Sequence, residues 1–295
     1  MRARDMMTER PRWIRGKALS PDDAEAISRI TDGLGLKTVC EEAVCPNKGE
    51  CWKQRHISFM ILGDVCTRNC RFCGVGSGNP AAPDPAEPER LAMAAKRLGK
   101  GYMVITSVTR DDLRDGGTEH FMKAVSEILK VIPTAKIELL IPDLKADREN
   151  LRKIFFSGAS VVGHNIETAG SLYADIRPMA DYKRSLTVLK ELSTHKKNDP
   201  RIFIKSSMMV GLGEDMGSIR ATLKDVAEAG ADIVYIGQYL RPSPGLWPVK
   251  KYYTTDEFEE IGAIAHDMGF RAVKAGSFVR SSYGAGAVYE ELRGE

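Results

Sequence analysis

The feature that most restricts the fold of this chain is an alternation of short β-branched runs with amphipathic stretches, which begins near residue 57. Short continuous apolar runs are typical of buried strands, whereas apolar residues three and four apart indicate helices. Strands that alternate with helices form βα units around a parallel sheet. The predicted strands are HISFMILG, YMVITSV, KIELLIP, SVVGHNIE, RIFIKSSMMVG and DIVYIGQYL.

The helices predicted between these strands often end in Gly or Ser-Gly, a common signal for a helix C-cap before a tight turn. A final pair, TDEFEEIGAIAHDMG and FRAVKAG, can add one further unit. Six βα repeats predict an α/β fold, a partial (βα)6 barrel of the TIM type over residues 57–275, with extensions at 1–56 and 276–295. The five helices inside the repeats are EPERLAMAAKRLG, TEHFMKAVSEILKVI, ADRENLRKIFFSG, YKRSLTVLKELSTH and DMGSIRATLKDVAEAG.

Charge and hydropathy narrow the choice of partner and compartment. Lys and Arg total 43 against 40 Asp and Glu, and a net charge of +3 is too small to predict nucleic acid or a membrane as partner. The apolar runs are shorter than the roughly 18 residues that a membrane helix needs. The start of the chain lacks a signal-peptide core, and Asp5 and Glu9 fit poorly with a transit peptide. We therefore expect a cytoplasmic protein that binds neither nucleic acid nor membrane.

All six cysteines lie between Cys40 and Cys73. In a reducing compartment, clustered cysteines are more often metal ligands than disulfides. Their spacing divides them into two groups of three. The first triad is Cys40, Cys45 and Cys51, and the second triad is Cys66, Cys70 and Cys73.

The second triad follows the first predicted strand with the spacing Cys-x3-Cys-x2-Cys. Three thiolates in one short loop can each bind a different iron of a 4Fe-4S cube and leave the fourth iron open. Structural zinc is the competing interpretation, although it usually takes four ligands as two pairs. A second group of three cysteines then suggests a second cluster with a separate role.

A Cys-x3-Cys-x2-Cys loop after the first strand of a βα barrel resembles the radical S-adenosylmethionine superfamily. That resemblance implies that the open iron binds the amino and carboxylate groups of S-adenosylmethionine. It also implies that the reduced cluster cleaves this cofactor to a 5'-deoxyadenosyl radical. Such a radical can remove hydrogen from an unactivated C–H bond, which side-chain acids and bases cannot do.

The two triads and the motif Arg280-Ser281-Ser282-Tyr283 together resemble the lipoyl synthase family. The resemblance extends through PRWIRGKAL, TSVTRDDLRDGG and GQYLRPSPGLWPV. It implies two 4Fe-4S clusters, with Ser282 as the fourth ligand of an auxiliary cluster that the two extensions carry. An alkoxide is a harder, more labile ligand than a thiolate, so this iron is the one most easily released. The alternative role for Ser282 is the N-cap of the helix GAGAVYEEL.

The resemblance also implies a reaction and its partners. The enzyme would insert two sulfur atoms at C6 and C8 of a protein-bound octanoyl-lysine, with the auxiliary cluster as sulfur donor and with the second triad and Ser282 as catalytic residues. The implied substrates are octanoylated lipoyl carrier domains, namely the glycine cleavage H protein and E2 subunits of 2-oxoacid dehydrogenases, and the electron donor is a ferredoxin or flavodoxin. The alternatives are another sulfur-inserting radical enzyme and, from a different class, a ferredoxin-like electron carrier or a metal-stapled binding module.

Polar residues at the ends of the predicted strands are candidates for binding S-adenosylmethionine. Asn165 and Glu167 can bind ribose hydroxyls, because an amide and a carboxylate donate to and accept from a diol. The alternative for Glu167 is a structural pair with Arg177. His164 can act as a base or iron ligand, but a hydrogen-bonded structural histidine is the favoured interpretation.

Two glycine-containing turns are further candidates. Asp115 and Gly116 begin a turn that can meet the methionine amino group, and the alternative is an exposed turn. Gly211 begins a GxG segment that allows close backbone approach to a ligand, although such a segment alone is weak evidence.

Overall fold

The computed structural model describes residues 10–294, so the first nine residues of the predicted extension 1–56 and the last residue of 276–295 lie outside the described part. The strands are β1 (Lys37–Thr38), β2 (Ser58–Ile61), β3 (Val65–Cys66), β4 (Gly76–Ser77), β5 (Tyr102–Ser107), β6 (Lys136–Leu140), β7 (Val161–Gly163), β8 (Phe203–Val210), β9 (Ile233–Gln238) and β10 (Ala272–Gly276). The helices are α1 (Pro21–Thr31), α2 (Val39–Glu42), α3 (Lys48–Cys51), α4 (Glu87–Leu98), α5 (Thr118–Val131), α6 (Arg148–Phe155), α7 (Tyr173–Ile176), α8 (Tyr182–Thr194), α9 (Met216–Glu228), α10 (Thr255–Asp267) and α11 (Ala285–Arg293).

Eight of these strands form one sheet in the order β1-β2-β5-β6-β7-β8-β9-β10. β1 pairs antiparallel with β2, and every other neighbouring pair in this sheet is parallel. Parallel neighbours need a crossover connection, which here contains a helix between each strand and the next. The predicted α/β fold with a mostly parallel sheet is confirmed, and the final predicted pair forms α10 and β10.

The two faces of the sheet carry different apolar layers, because successive side chains of a strand point to opposite faces. Leu139 and Ile204 belong to the large core that includes the helices α4, α5, α6, α8, α9 and α10. Phe203 and Tyr235 belong to a second cluster that includes Tyr289 of α11. The carboxyl-terminal helix therefore packs on the face opposite the large helical core.

Local signals explain where the crossover helices begin and end. Thr254 forms a capping box with Glu257, and Gly99 takes the left-handed conformation that ends α4. Side-chain oxygens also accept a backbone N–H at the first turn of three other crossover helices, from the N-cap residues Asp147, Asp181 and Asp215.

The segments before β2 and after β10 contact each other directly. The Asn47 side-chain amide donates to the Phe278 carbonyl oxygen at 2.6 Å.

The segment before β2 also packs closely on itself. A Cβ at Gly49 would lie 2.2 Å from the Lys17 carbonyl oxygen, so only glycine allows these two stretches of backbone to approach so closely. Within residues 10–294, no helix combines the length and the apolar character needed to cross a membrane.

Candidate functional site

The second triad lies in the connection that leaves β2, with Cys66 at the end of β3. The backbone N–H groups of Arg68 and Thr109 point at Cys66 Sγ over 3.4 Å and 3.3 Å. Hydrogen bonds to sulfur are one of the means by which a protein tunes an iron-sulfur cluster. The loop therefore provides two backbone donors to Cys66 Sγ, which suit a negatively charged thiolate.

Burial is the largest influence on the pKa values of two thiols of this triad, Cys70 and Cys73. It raises the pKa of Cys73 to about 12 and also raises the pKa of Cys70. Negative charge on Cys66 would raise both pKa values further, which shows that the three thiols are close neighbours. Cys70 and Cys73 therefore stay protonated unless a positively charged metal displaces their protons, since a coordinating thiol is deprotonated.

A set of paired charges, two of them buried and two half-buried, holds this loop in place. Arg68, between the first two cysteines, donates to both carboxylate oxygens of Asp111 at 2.7 and 2.8 Å and of Asp143 at 2.7 and 2.8 Å. Arg184 donates to Asp143 at 2.8 Å. The side chains of Arg68 and Asp143 are 4% and 0% exposed. We call Arg68, Asp111, Asp143 and Arg184 the charged brace.

The charged brace determines the ionisation of its carboxylates. Burial acts to raise the pKa of Asp143, but hydrogen bonds and charge from Arg68 outweigh it and hold that pKa well below its usual range. Sequence reasoning missed Asp143 and Asp111, although acidic residues directly after predicted strands were the available signal.

Asp143 also begins an unusual turn. Leu144, Lys145 and Ala146 follow it with φ angles of 45°, 54° and 55°, a left-handed conformation that costs each non-glycine residue free energy. The Asp143 carboxylate accepts the Lys145 backbone N–H at 3.1 Å. Strained backbone of this kind often marks a functional site, and here it adjoins the brace of the second triad.

Asn165 and Glu167 lie beside the second triad. The Asn165 amide donates to Glu167 at 3.0 Å, and Glu167 has a left-handed φ of 70°. Burial raises the pKa of Glu167, and its charge raises the pKa values of Cys70 and Cys73, so the carboxylate is near both thiols. The positive charge of Arg177 acts to lower the pKa of Glu167, against the effect of burial. Arg177 nevertheless donates a hydrogen bond to the Tyr173 hydroxyl.

His164 is a buried hydrogen-bonded histidine, as the favoured interpretation predicted. Its Nδ1 lies 3.0 Å from the Ile141 carbonyl oxygen and its Nε2 lies 3.0 Å from Ser185 Oγ. The carbonyl can only accept, so Nδ1 carries the proton and Nε2 accepts from the hydroxyl. Burial lowers the pKa of His164 to about 4, so the ring is neutral near pH 7.

The Asp115 carboxylate accepts hydrogen bonds from the backbone at the start of α5. It accepts the backbone N–H groups of Gly117 at 3.0 Å and Glu119 at 2.8 Å. Gly116 has a φ of 62°, and the cavity that it lines also contains Thr109, whose N–H points at the second triad. These residues therefore shape a turn close to the second triad.

The turn that begins at Gly211 is stabilised by hydrogen bonds within the segment 211–214. The Glu214 carboxylate accepts the backbone N–H groups of Gly211, Leu212 and Gly213 at 2.5, 2.9 and 3.1 Å. A Cβ at Gly211 would lie 2.2 Å from the Gln238 side-chain nitrogen. Packing alone therefore requires a glycine at this position.

The first triad lies in a separate cavity with about 570 Å³ of empty space, its mouth included. Cys40 lies in α2 and Cys51 ends α3, while Ser282 reaches the same cavity from the segment between β10 and α11. The cavity is lined by residues from the amino-terminal segment and β2, from β5, and from the segment after β10: Cys40, Cys45, Asn47, Lys48, Cys51, His56, Ile57, Ser58, Tyr102, Val104, Arg280, Ser282, Tyr283, Ala285 and Gly286.

Burial is also the largest influence on the pKa values of Cys40 and Cys51 in the first triad. It raises the pKa of Cys51 to about 12 and raises the pKa of Cys40, whereas the backbone N–H of Ser58 and the indole N–H of Trp52 act to lower the pKa of Cys40. The Trp52 indole N–H is buried and makes no hydrogen bond within the described part of the chain. Its influence on the pKa of Cys40 places it near that thiol.

Neither triad has the geometry of a mononuclear metal site. All six cysteines are unpaired, so the disulfide alternative is wrong. Across residues 10–294, no three His, Cys, Asp or Glu side chains converge on one ion position. One zinc ion would draw its thiolates to a single point at about 2.3 Å, whereas a cube binds each thiolate to a different iron. The residues present therefore fit clusters better than zinc.

Ser282 does not cap the final helix. The N-cap of α11 is Gly284 at a φ of 61°, so that alternative is wrong. Ser282 Oγ instead accepts a hydrogen bond from Ser58 Oγ at 2.7 Å. The loops of the two triads are also in contact, because a Cβ on Gly74 would lie 3.5 Å from the Cα of Ala43.

The Radical SAM superfamily profile matches residues 60–226, from β2 to α9, a span that contains the second triad. The fold and the second triad thus define an α/β enzyme of the radical S-adenosylmethionine class. Curated relatives identify the narrower group. The lipoyl synthase of Caldicellulosiruptor saccharolyticus is 45% identical over 278 residues, which is 94% of this chain and 96% of the relative. That of Caldanaerobacter subterraneus subsp. tengcongensis is 43% identical over 289 residues, which is 98% of this chain and 100% of the relative. The chain belongs to the lipoyl synthase family.

Solved structures share the fold at low sequence identity. Streptococcus suis SuiB bound to S-adenosylmethionine has a TM-score of 0.55 and 14% identity, over 74% of this chain and 49% of SuiB. The FeFe-hydrogenase maturase HydG from Carboxydothermus hydrogenoformans has a TM-score of 0.54 and 13% identity, over 92% of this chain and 78% of HydG. Family membership implies a 4Fe-4S cluster, S-adenosylmethionine and a protein-bound octanoyl substrate.

Proposed function

We propose that this enzyme inserts two sulfur atoms at C6 and C8 of an octanoyl-lysine held on a lipoyl carrier domain. The observation that carries the proposal is the cavity in which Ser282 meets Cys40, Cys45 and Cys51, separate from the second triad. When bound, S-adenosylmethionine and the cluster of the second triad would supply a 5'-deoxyadenosyl radical, and a second 4Fe-4S cluster in the first triad would supply the sulfur.

The lining of this cavity supports an anionic cluster held by three thiolates and one alkoxide. The Arg280 guanidinium lines the cavity, and its Nη1 donates to the Val279 carbonyl oxygen at 2.7 Å. Burial lowers the pKa of Arg280, whereas negative charge on Cys45 acts to raise it, so the two groups are close. Arg280 thus supplies positive charge beside the cysteines, and the Trp52 indole N–H supplies a donor toward Cys40.

We assign Cys66, Cys70 and Cys73 to the cluster that binds S-adenosylmethionine. Asn165 and Glu167 would hold the ribose hydroxyls, which their position beside Cys70 and Cys73 supports. Further contacts to this cofactor are proposed for the turns at Asp115, Gly116 and Gly211.

We propose that the sheet curves into a partial barrel over residues 57–275, and that the extensions 1–56 and 276–295 carry the auxiliary cluster. Two observations support this division. β1 and β10 are the edge strands of the sheet, and the described extensions meet through the hydrogen bond from Asn47 to Phe278. The extensions would then cover the open side of the barrel and keep water from the acyl chain.

The proposed substrates are octanoylated carrier domains of the glycine cleavage H protein and of E2 subunits of 2-oxoacid dehydrogenases, with a ferredoxin or flavodoxin as electron donor. A cytoplasmic location is proposed because six unpaired cysteines suit a reducing compartment. The apolar residues Ile57, Val104 and Ala285 beside the first triad support an acyl substrate, since a hydrocarbon chain gains free energy on leaving water.

Anaerobic reconstitution with iron and sulfide tests the proposal. We expect about eight irons per chain, as two cubes require, and lipoyl product from an octanoylated carrier peptide. Ser282→Ala should keep S-adenosylmethionine cleavage and lose sulfur insertion. Ser281→Ala is the matched control, because Ser281 does not line the first-triad cavity. Four irons per chain, or an Ser282→Ala variant with normal lipoyl formation, would overturn the assignment.

A further inference from the structure

Ser58 contacts both parts of the first-triad site. It begins β2 and is buried, and its hydroxyl donates to Ser282 Oγ at 2.7 Å across 224 residues of sequence. Its backbone N–H acts on Cys40, whose pKa it helps to lower. One residue therefore joins a cysteine of the amino-terminal segment to the serine of the carboxyl-terminal segment.

The backbone at Ser58 belongs to a strand, whereas the backbone at Ser282 belongs to no helix or strand. Ser58 pairs with Val104 in the parallel ladder between β2 and β5, which fixes its position. Ser282 lies in the irregular segment between β10 and α11. A serine side chain has three staggered χ1 rotamers, so a fixed neighbour is needed to select one of them.

The direction of the hydrogen bond leaves Ser282 available. A hydroxyl oxygen has one proton to donate and two lone pairs to accept with. Ser282 Oγ accepts the Ser58 proton with one lone pair, which leaves its second lone pair and its own O–H group without a role in this contact. The cavity with Cys40, Cys45 and Cys51 is the space open to them.

We propose that Ser58 is a positioning residue that holds the Ser282 oxygen toward the open corner of the first triad; this rests on the proposed role of Ser282. Loss of the Ser58 hydroxyl leaves the three cysteines in place and lets Ser282 sample its other rotamers. The fourth iron is then held less often, and a four-iron cluster converts to a three-iron cluster more readily.

The test uses the full chain carrying Cys66→Ala, Cys70→Ala and Cys73→Ala, so that iron and sulfide load the first triad alone. Ser58→Val and Ser58→Thr are then compared in this background, because the two side chains have the same shape and differ in the hydroxyl. The readouts are the three-iron EPR signal after mild oxidation and the rate of iron release to a chelator.

We expect Ser58→Val to raise the three-iron fraction about threefold, as free choice among three rotamers implies, and Ser58→Thr to match the parent. Ser107→Ala on β5 should also match the parent, since its buried hydroxyl has no partner among residues 10–294. The free energy of unfolding of the iron-free protein in urea should differ between the Val and Thr variants by no more than one neutral hydrogen bond contributes, about 1 kcal/mol.

The possible results separate two failures. If Ser282→Ala raises the three-iron signal and Ser58→Val does not, the positioning role is overturned and the ligand role of Ser282 stands. If Ser282→Ala itself matches the parent, the ligand role in the proposed function is overturned, and the role of Ser58 falls with it.

Discussion

The two cysteine triads are held by different kinds of contact. The loop of the second triad contains Arg68, which donates four hydrogen bonds to two carboxylates. The first triad adjoins a hydroxyl pair, Ser58 and Ser282, and the indole of Trp52. Breaking a buried ion pair costs about 3 to 5 kcal/mol, whereas a neutral hydrogen bond contributes about 1 kcal/mol.

This difference in strength matches the difference in proposed role. A cluster that is used repeatedly with S-adenosylmethionine benefits from a loop that does not move. A cluster that gives up sulfur has to release iron, and the weak neutral hydrogen bond between Ser58 and Ser282 allows that release. The charged brace and the hydroxyl pair are thus suited to retention and to opening, respectively.

The largest effects should come from removing one cysteine from each triad. Cys66→Ala should abolish S-adenosylmethionine cleavage, because the cluster that contains the open iron loses one of its three thiolate ligands. Cys40→Ala should keep cleavage and abolish sulfur insertion. Each variant should fall from about eight irons to about four. Measurement of 5'-deoxyadenosine, lipoyl peptide and iron checks this division, and it fails if both variants lose the same activity and the same iron.

Asp143→Asn should give the next largest effect. It leaves the buried charge of Arg68 with Asp111 alone and removes the carboxylate that Arg184 contacts. We expect the free energy of unfolding in urea to fall by about 3 kcal/mol. Arg152→Gln is the control, because its ion pair with Glu149 is exposed and should contribute nothing measurable. Equal stability of Asp143→Asn and the parent would contradict the role of the brace.

His164 predicts a pH dependence of stability. Burial lowers its pKa to about 4, while the unfolded chain binds the same proton near pH 6.5. Unfolding therefore takes up a proton between these values, and the free energy of unfolding should fall as pH falls from about 6.5 to about 4, by up to about 1.4 kcal/mol per pH unit. Urea titrations of His164→Gln at pH 7, 6 and 5 should show a smaller slope than the parent, the remainder coming from His56, whose pKa burial also lowers.

The matched control for His164 is His266→Gln, which removes an exposed histidine of α10. It should keep the slope of the parent. An unchanged slope in His164→Gln would show that the buried ring does not account for the pH dependence.

Trp52→Phe should have the smallest effect. It keeps an aromatic ring and removes the N–H that acts on Cys40. If the N–H stabilises the reduced first-triad cluster as much as one neutral hydrogen bond does, about 1 kcal/mol, its loss should make the reduction potential of that cluster more negative by about 40 mV. Trp13→Phe, at an indole that is 58% exposed, should leave the potential unchanged. A shift of equal size in both variants would contradict the contact.

The sequence alone predicted the parts of the molecule that depend on local pattern. The strands of the parallel sheet and their helices follow from periodicity, and the two triads follow from cysteine spacing. Ser58 was not predictable, since its partner Ser282 lies 224 residues away and one serine in a strand has no special pattern. Asp143 was missed for a similar reason, because only folding brings it to Arg68.

The most direct test of the account is a crystal structure of the anaerobically reconstituted full chain, with anomalous diffraction at the iron edge. The account predicts two separate groups of iron, one at Cys66, Cys70 and Cys73 and one in the cavity of the first triad. It also predicts Ser282 Oγ bound to the iron that Cys40, Cys45 and Cys51 do not hold. A single group of iron, or a fourth iron held by another residue, would contradict it.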